Sequence, residues 1–440
     1  MAASNESRPA RVAPVPVAAA PAAPGRASLA SELERALVET YGPPDPGRDA
    51  AARRFFAPGR VNLMGAHLDY NGGPVMPMPV DRGTVVVARR TTTGRVRLLS
   101  TREAGRFDAE ALPDGASGAW FDYPVGVLRQ VRGAWPRGAG VDLAFGGDLP
   151  IGAGLSSSAS ICIATALVVD ALFGAEDGRE DRGADEAGDE AGDEAAARRV
   201  ERALAAERDF VGVQCGIMDP YAVGFGRPGH LLWLECRSRR FEHVPLDPAR
   251  YLVGVVDSGV RRELAAGEFN LRVEQCGAVR DALRERAPGL EWLCDAPRGD
   301  FDALEPALAR EVAARGRHVF DELERTLAAR RALEAGDAAA FGAAMTRSHA
   351  SLRENFEVST PELDALVDAA TAVPGVLGSR LTGAGFGGCT VVLLERAARE
   401  RLVAAVEERY RARFGRTPAI EFFAGGDGPH EFTARGAGSE

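Results

Sequence analysis

A glycine-rich turn at residues 150–159 constrains this chain more than any other feature. It consists of Pro-Ile-Gly-Ala-Gly-Leu-Ser-Ser-Ser-Ala and runs into an apolar stretch, 161–173, that is typical of a helix. Glycines let backbone N–H groups close on an anion, and the following helix offers unpaired N–H groups and the positive end of its dipole. The segment therefore predicts a phosphate site, although a turn that only caps a helix can have the same composition.

The absence of lysine narrows the kind of phosphate site. All 53 basic residues of the 440-residue chain are arginines. A Walker-type P-loop and the protein-kinase site both place a lysine at the phosphates, and Schiff-base chemistry also requires one. These classes are excluded. Backbone amides, hydroxyls, arginine and a metal ion are left to hold a nucleotide.

Composition limits the partners and the compartment. The net charge of -10 argues against general nucleic-acid binding. The six cysteines are scattered without a Cys-x-x-Cys motif, which favours reduced thiols in a cytoplasm over disulfides or a zinc site. No apolar run is long enough to predict a membrane span. We expect a cytoplasmic protein with no nucleic-acid or membrane partner, and a monomer.

Strands and helices mix without regular βαβ alternation, which predicts the α+β class. A disordered tail is expected at 1–28, an N-terminal domain at 29–247 and a C-terminal domain at 248–433. An acidic low-complexity tract at 174–197 reads as a solvated insertion in the first domain. The spacing predicts helices over 28–41, 124–135, 200–210, 263–286 and 301–351. It predicts strands over 84–88, 96–100, 141–145, 230–246 and 251–256, and a strand–loop–strand segment over 378–394.

Three further segments carry polar chemistry. The first is a second glycine-rich segment, 380–390, which could share a phosphate cradle with the first or form a tight loop at a strand entry. Between 57 and 73, Arg60, His67, Asp69 and Tyr70 could converge on a polyhydroxylated ligand. The alternative there is a hairpin with an Asn-Gly-Gly turn and an Arg60–Asp69 salt bridge.

The third segment centres on Asp219, a lone carboxylate between apolar residues that needs a cationic partner. Such an aspartate could accept the proton of an attacking hydroxyl in phosphoryl transfer. Twelve residues upstream, Glu207 combined with a serine hydroxyl would make a hard-oxygen pair for Mg²⁺. Glu207 could equally be an ordinary surface residue of a helix.

Together, these motifs resemble the GHMP kinase superfamily and, within it, the galactokinase family. The resemblance covers residues from about 53 to 395. Beyond the three superfamily motifs, four blocks are galactokinase-like: Cys-Gly-Ile-Met-Asp at 215–219, Leu-Glu-Cys-Arg-Ser at 234–238, Phe-Asn-Leu-Arg-Val-Glu-Gln-Cys at 269–276, and Ser-His-Ala-Ser-Leu-Arg-Glu-Asn-Phe-Glu-Val-Ser at 348–359.

The resemblance implies a two-lobed GHMP kinase fold with the active site in the inter-domain cleft. It implies ATP-dependent phosphorylation of the anomeric C1 hydroxyl of a galactose-type sugar. Asp219 would be the catalytic carboxylate, Arg60 its cationic partner, and Ser158 and Glu207 the Mg²⁺ ligands. The implied ATP-binding residues are Gly152, Gly154, Leu155, Ser156, Ser157, Ser158, Trp120, Gly383 and Gly385. The implied sugar-binding residues are Ala66, His67, Asp69, Gly216 and Phe269.

The chain departs from the family pattern around the sugar. Ala66 and Leu68 replace a glutamate and a threonine, Phe269 replaces a tyrosine, and Pro220 replaces a glutamine. Losing a carboxylate beside C6 would suit a sugar whose own C6 is a carboxylate, because like charges repel. We therefore expect the pocket around Ala66 and Leu68 to accept galacturonate at least as well as galactose, and a pentose also stays open as the substrate.

Two further points stay open. A uronate would need a cation near C6, for which Arg261 and Arg262 are the candidates. A non-catalytic sugar and ATP sensor is the alternative to an enzyme, although the presence of all four of Arg60, Ser158, Glu207 and Asp219 favours catalysis.

Overall fold

The computed structural model describes residues 25–44, 51–150, 154–174, 189–213, 215–260 and 265–433. The helices in these ranges are α1 (Arg26–Tyr41), α2 (Asp122–Val131), α3 (Ser157–Phe173), α4 (Asp189–Ala205), α5 (Met218–Gly224), α6 (Ala265–Arg284), α7 (Arg298–Leu304), α8 (Arg310–Glu334), α9 (Ala338–Glu354), α10 (Pro361–Thr371) and α11 (Arg399–Phe414). Across this part of the chain, no helix combines the length and the apolar character needed to cross a membrane.

The strands form three sheets, and the predicted α+β class is confirmed. The first sheet has the order β13-β1-β3-β6-β4-β5, the second β10-β11-β9-β12 and the third β2-β7-β8. The strands are β1 (Arg53–Asn62), β2 (Pro74–Val75), β3 (Pro77–Thr91), β4 (Val96–Ser100), β5 (Phe107–Ala109), β6 (Gly140–Gly147), β7 (His230–Glu235), β8 (Arg240–Pro245), β9 (Tyr251–Asp257), β10 (Val376–Thr382), β11 (Cys389–Glu395), β12 (Ala419–Phe423) and β13 (His430–Phe432).

The six-stranded sheet is covered on both faces, which positions β1 for the site. Successive side chains of a strand point to opposite faces. Phe55 accordingly joins the core cluster that includes Ile163 of helix α3, whereas Phe56 joins a separate cluster with Leu33 of helix α1. Because both faces of β1 are packed, its C-terminal end, where Arg60 lies, has little freedom to move.

The four-stranded sheet is built in the same way from the C-terminal part of the chain. On β11, Val391 packs with Phe341 of α9, and Val392 packs with Leu366 of α10 and Leu402 of α11. The last strand, β13, leaves this region and pairs antiparallel with β1, with Arg54 opposite Phe432. The expected C-terminal domain, 248–433, therefore contributes one strand to the first sheet.

The helix predictions need three corrections. Helix α4 begins at Asp189, so the last part of the tract 174–197 is helical; Ala196 is 7% exposed and packs in the core. Residues 175–188 lie outside the described residues. The predicted helix 200–210 ends in a π-helical turn, Ala206–Val211. The predicted stretch 301–351 is divided among α7, α8 and α9, partly because Gly336 adopts a φ of 76° between two of them.

Candidate active site

Asp219 lies in the first turn of α5 and pairs with Arg60 at the end of β1. The guanidinium makes a two-pronged ion pair, with Nε 2.7 Å from Oδ1 and Nη2 2.7 Å from Oδ2. The Arg60 side chain is 7% exposed and that of Asp219 is 27% exposed, so the carboxylate is open to a ligand on one side. Arg60 is the cation that the apolar setting of Asp219 predicts. The alternative, an Arg60–Asp69 salt bridge, does not describe this arrangement.

Two hydrogen bonds join the glycine-rich turn to this ion pair. Arg60 Nη1 donates to the carbonyl of Gly154 at 2.6 Å, and the Ser156 hydroxyl donates to Asp219 Oδ2. Ser156 has a φ of 59°, a left-handed conformation that costs a non-glycine residue about 1–2 kcal/mol. This cost is offset in the fold because the conformation brings the hydroxyl to the carboxylate.

The first turn of α3 offers unpaired amides to an anion. Ser156 occupies the N-cap position, but its side chain makes no capping hydrogen bond, because its hydroxyl is directed at Asp219. The uncapped N–H groups and the helix dipole could hold an anion at this end. The Ser156 side chain does not cap the helix, and the phosphate site stays a prediction.

A cavity of about 320 Å³ lies against this end of α3, lined there by Ser157 and Ser158. Its apolar wall is aromatic and includes Trp120, Tyr123 and Phe145. The Trp120 ring meets that of Phe145 edge-on at 5.6 Å between centroids. Ligand pockets commonly begin at about 300 Å³ and pair aromatic walls with a few polar groups, so the cavity fits a heterocyclic base next to a phosphate site.

Glu207 is the buried acid of the site. It is 2% exposed in the π-helical turn after α4. Burial raises its pKa to about 7, against the opposing effect of a hydrogen bond from the Ser158 hydroxyl. The Cys215 thiol lies 3.9 Å from Glu207 Oε2. The interpretation of Glu207 as a surface residue is wrong, because the π-turn directs it inward; such turns are frequent at functional sites.

The oxygens of Glu207 and Ser158 fit a Mg²⁺ ion. Both are hard ligands, and Mg²⁺ is commonly held by one or two carboxylates together with substrate phosphates. Over the described ranges, no group of three or more His, Cys, Asp or Glu side chains is positioned to hold a metal alone. The two ligands therefore suit an ion that arrives with phosphate, rather than one held in a complete protein cage.

Asp69 brings a second carboxylate near Asp219. Burial raises its pKa to about 6, and the charge of Asp219 adds to this shift. Gly216 leaves room for it, because a Cβ at that position would lie 2.1 Å from Asp69 Oδ2. Any larger residue at 216 would displace the carboxylate. The structure thus brings Asp69, Gly216 and Asp219 together, as the motifs predict.

His67 sits two residues before Asp69, on a turn with a left-handed backbone. It has a φ of 62°, and its Nδ1 is 3.0 Å from the Tyr70 hydroxyl, whereas its buried Nε2 has no partner. Burial holds the pKa of His67 well below its ordinary value, so the ring is neutral. A neutral imidazole with a free nitrogen can exchange a hydrogen bond with a ligand hydroxyl.

Aromatic rings enclose His67. The Phe356 ring lies 4.5 Å from it and the Phe269 ring 6.0 Å, between centroids. Phe269, a predicted site residue, also meets Tyr70 edge-on at 5.6 Å. Phe356 lies within the galactokinase-like block 348–359, but the sequence analysis assigns it no role, because a phenylalanine there carries no polar signal. The ring is nevertheless the nearest aromatic neighbour described for His67.

Backbone hydrogen bonds to Val358 and Val260 hold the second glycine-rich loop, in the segment 380–390. Gly383 and Gly385 have φ values of 77° and 83°. The amide of Phe386 donates to the carbonyl of Val358 at 2.7 Å, and that of Gly388 to the carbonyl of Val260 at 3.1 Å. The described contacts thus show a tight loop before β11, and a phosphate cradle shared with the first loop stays a prediction.

Several predicted residues take other places. The Leu155 side chain is in the core, and its carbonyl accepts from the amide of Arg60 at 3.0 Å. Leu68 is fully buried in the core, so it does not line a sugar pocket. Ala66 is 7% exposed, on the same turn as His67. Gly152, together with Arg261 and Arg262, lies outside the described residues.

Comparison with known proteins agrees with this geometry. A galactokinase galactose-binding signature matches residues 41–90, the GHMP kinases N terminal domain matches 122–227, and the GHMP kinases C terminal model matches 329–412. A galactokinase of Roseiflexus sp. (strain RS-1) is 40% identical over 374 residues, which cover 84% of this chain and 91% of that protein. The chain belongs to the galactokinase family. A galactokinase of Homo sapiens is 38% identical over 396 residues, covering 88% and 93% of the two chains.

Solved structures in the galactokinase family and its superfamily share the fold. The structure titled Lactococcus lactis galactokinase complexed with galactose aligns with a TM-score of 0.80 at 29% identity, covering 92% of this chain and 100% of that one. A mevalonate kinase aligns at 0.56 with 17% identity, covering 84% and 98%. The GHMP kinase fold implied by the motifs is therefore confirmed.

Proposed function

We propose that this protein is an ATP-dependent galactokinase that phosphorylates the anomeric C1 hydroxyl of galactose. The observation that carries the proposal is the Arg60–Asp219 pair, joined through Ser156 and Gly154 to the uncapped end of α3. This arrangement puts an acceptor for a hydroxyl proton next to a phosphate site. Membership of the galactokinase family then supplies the class of sugar.

We place the sugar at the mouth formed by His67, Asp69 and Asp219, with Phe269 as its apolar wall. Phe269 belongs to the predicted C-terminal lobe, so this placement puts the sugar between the two predicted lobes. His67 Nε2 and the Asp69 carboxylate would hold sugar hydroxyls, since carboxylate and imidazole groups suit such ligands. Gly216 keeps this space open.

The transfer itself uses Asp219 and Arg60. Asp219 accepts the hydrogen bond, and finally the proton, of the C1 hydroxyl as its oxygen attacks the γ-phosphorus and the bond to the β-phosphate oxygen breaks. Arg60 keeps the carboxylate oriented and stabilises charge on the transferring group. The base lies in the aromatic cavity of Trp120 and Tyr123, and the phosphates face the amides of Ser157 and Ser158.

Ser158 and Glu207 would hold the Mg²⁺ that accompanies the nucleotide. When bound, the ion would supply positive charge that neutralises the charge developing on the phosphates. The raised pKa of Glu207 describes the carboxyl without such an ion, and a neighbouring cation favours the charged form. A cytoplasmic location and a monomeric state stay predictions.

The first test separates an enzyme from a sensor. We expect ADP release that depends on both Mg²⁺ and galactose when the purified chain is assayed over a panel of hexoses, uronates and pentoses. Calorimetric titration of the same sugars measures binding independently of turnover. Binding of galactose and ATP without turnover of any sugar on the panel would establish the sensor and remove the proposed activity.

The pH dependence of sugar affinity tests Asp69. Its carboxyl has a pKa of about 6, so its charged form, which accepts hydrogen bonds from sugar hydroxyls, is lost as pH falls below that value. At saturating ATP and Mg²⁺ we expect the KM for galactose to rise about tenfold per pH unit below pH 6. Asp69→Asn should have a higher but flat KM for galactose from pH 5 to 7. The same slope in both proteins would assign the titration elsewhere.

Membership of the galactokinase family favours galactose over the galacturonate that the loss of an acidic side chain at 66 predicts. A buried carboxylate at the turn, that of Glu322, lies 3.1 Å from the amide of Ala66 and is paired with Arg325, so it does not exclude a uronate by charge. We expect kcat/KM to favour galactose by about 100-fold. Ala66→Glu should widen the gap, because a carboxylate at 66 would repel that of a uronate. A wild-type preference for galacturonate would contradict this.

A further inference from the structure

Two buried residues of helix α8 hold the backbone of the turn that carries His67. Glu322 Oε1 accepts hydrogen bonds from the amide of Gly65 at 3.2 Å and from that of Ala66 at 3.1 Å. His318 Nε2 lies 3.2 Å from the carbonyl oxygen of Ala66. His318 and Glu322 are four residues apart, on one face of the helix, so a single rigid element holds both sides of this peptide segment.

The turn needs such support because its backbone is not one that the local sequence prefers. Gly65 has a φ of 84° and His67 a φ of 62°. A Cβ at Gly65 would lie 2.4 Å from the carbonyl oxygen of Pro74, so the chain passes too close to its neighbour for any other residue. Histidine in the left-handed region is strained, and such strain persists only where the surroundings enforce it.

The α8 pair is itself held in one state. Glu322 also accepts from the Ser348 hydroxyl at 2.8 Å and pairs with Arg325. His318 Nδ1 lies 2.9 Å from the Ser351 hydroxyl. Because the Ala66 carbonyl only accepts, His318 Nε2 carries the proton and Nδ1 accepts from Ser351. Burial lowers the pKa of His318 to about 3, which keeps this tautomer neutral.

His318 reaches His67 by a second route. The Phe356 ring packs against both histidines, 4.5 Å from each between centroids, and the two histidine rings themselves meet edge-on at 6.3 Å. The backbone of Phe356 is fixed by Arg272, whose Nε donates to its carbonyl at 2.8 Å. The His67 ring is therefore placed by the turn beneath it and by an aromatic ring that rests on His318.

We propose that His318 and Glu322 are positioning residues for sugar recognition: they impose the conformation of the 65–67 turn and so aim the unpartnered Nε2 of His67 at the substrate. Neither side chain touches the sugar, since both are fully buried. The proposal rests on the proposed function for the identity of the ligand, but the control of the turn by α8 is a property of the chain alone.

Two readouts test it, one of which does not depend on activity. In His318→Leu we expect the KM for galactose to rise about 10–100-fold, as for losses of supporting hydrogen bonds at other sites, with the KM for ATP within about twofold. Amide exchange at residues 65–67, followed by mass spectrometry, should accelerate at least about tenfold in His318→Leu and in Glu322→Gln. His318→Gln, which keeps a donor for the Ala66 carbonyl, should restore most of the affinity.

Phe320→Leu is the matched control. Phe320 is on the same helix and 2% exposed, but it stacks on Phe301, 4.7 Å away, and not on the turn. It should lower Tm without changing the KM for galactose or the exchange at 65–67. Parallel changes in both KM values, or exchange at 65–67 no faster than in the control, would overturn the proposal. If the wild type bound but did not phosphorylate galactose, the proposed function would fail, while the exchange pattern would still decide the role of α8. If His318→Leu does not fold, Glu322→Gln makes the same comparison.

Discussion

Asp219→Asn is expected to lower kcat for galactose by about 10²–10⁴-fold, the range found for lost general-base and related charge interactions. Asparagine keeps the size of the side chain and can still accept from Ser156, but it cannot take a proton from the attacking hydroxyl. It also leaves Arg60, which is 6% exposed, without its counter-ion. ATP binding should be nearly unchanged, because the phosphates face α3 and the base faces the aromatic cavity. Steady-state kinetics and ATP titration measure the two effects.

Asp368→Asn provides the comparison for that experiment. Asp368 is exposed on α10, away from the residues of the site, so its loss should change kcat by less than about twofold. A near-wild-type kcat in Asp219→Asn would remove Asp219 from the reaction. A collapse of ATP binding in the same variant would mean that the aspartate supports the nucleotide rather than the hydroxyl.

Arg60→Lys is expected to lower kcat/KM by about 10²-fold or more. Arginine donates to both oxygens of Asp219 and also to the Gly154 carbonyl. A lysine is a point charge without the planar fork, so it cannot make these three bonds together. The glycine-rich turn and the carboxylate would lose their common anchor, and the effect should appear in kcat as well as in the KM for ATP.

The control for Arg60 is Arg95→Lys. Arg95 forms a pair with Asp108 at 2.6 Å, but the two side chains are 36% and 48% exposed. Exposed pairs contribute little, so this variant should keep wild-type kinetics and nearly the same Tm. If Arg60→Lys were equally silent, the positive charge alone, and not the forked geometry, would be what Asp219 requires.

Asp219 could be picked out from the sequence because it is a lone carboxylate among apolar residues and needs a cationic partner. That Arg60 is this partner follows only from the family resemblance, and Glu207 reads by itself as a surface residue of a helix. In the structure, Arg60 forms its ion pair with Asp219 and not with Asp69. The structure also gives Ser156, predicted as an ATP ligand, a second role as a hydrogen-bond donor to Asp219, which depends on a positive φ that no sequence pattern reveals.

The supporting residues could not be predicted, since they act from far along the chain. His318 and Glu322 contact a turn about 250 residues earlier, and within α8 they look like ordinary polar residues of an amphipathic helix. The pairing of β13 with β1 could not be predicted either, because a three-residue strand has almost no periodicity. The start of helix α4 lies within the tract 174–197, whose acidic and alanine-rich composition resembles that of a solvated segment. Alanine and glutamate nevertheless favour helix.

The identity of the product is the sharpest test of the proposed phosphorylation of galactose at C1. Purified protein should be incubated with galactose, ATP and Mg²⁺, and the phosphorylated sugar examined by ³¹P and ¹H NMR. We expect galactose 1-phosphate, recognised by coupling of the phosphorus to the anomeric proton, formed in equal amount with ADP and not formed by Asp219→Asn. Phosphate on any other hydroxyl, or ADP released without a phosphorylated sugar, would contradict it.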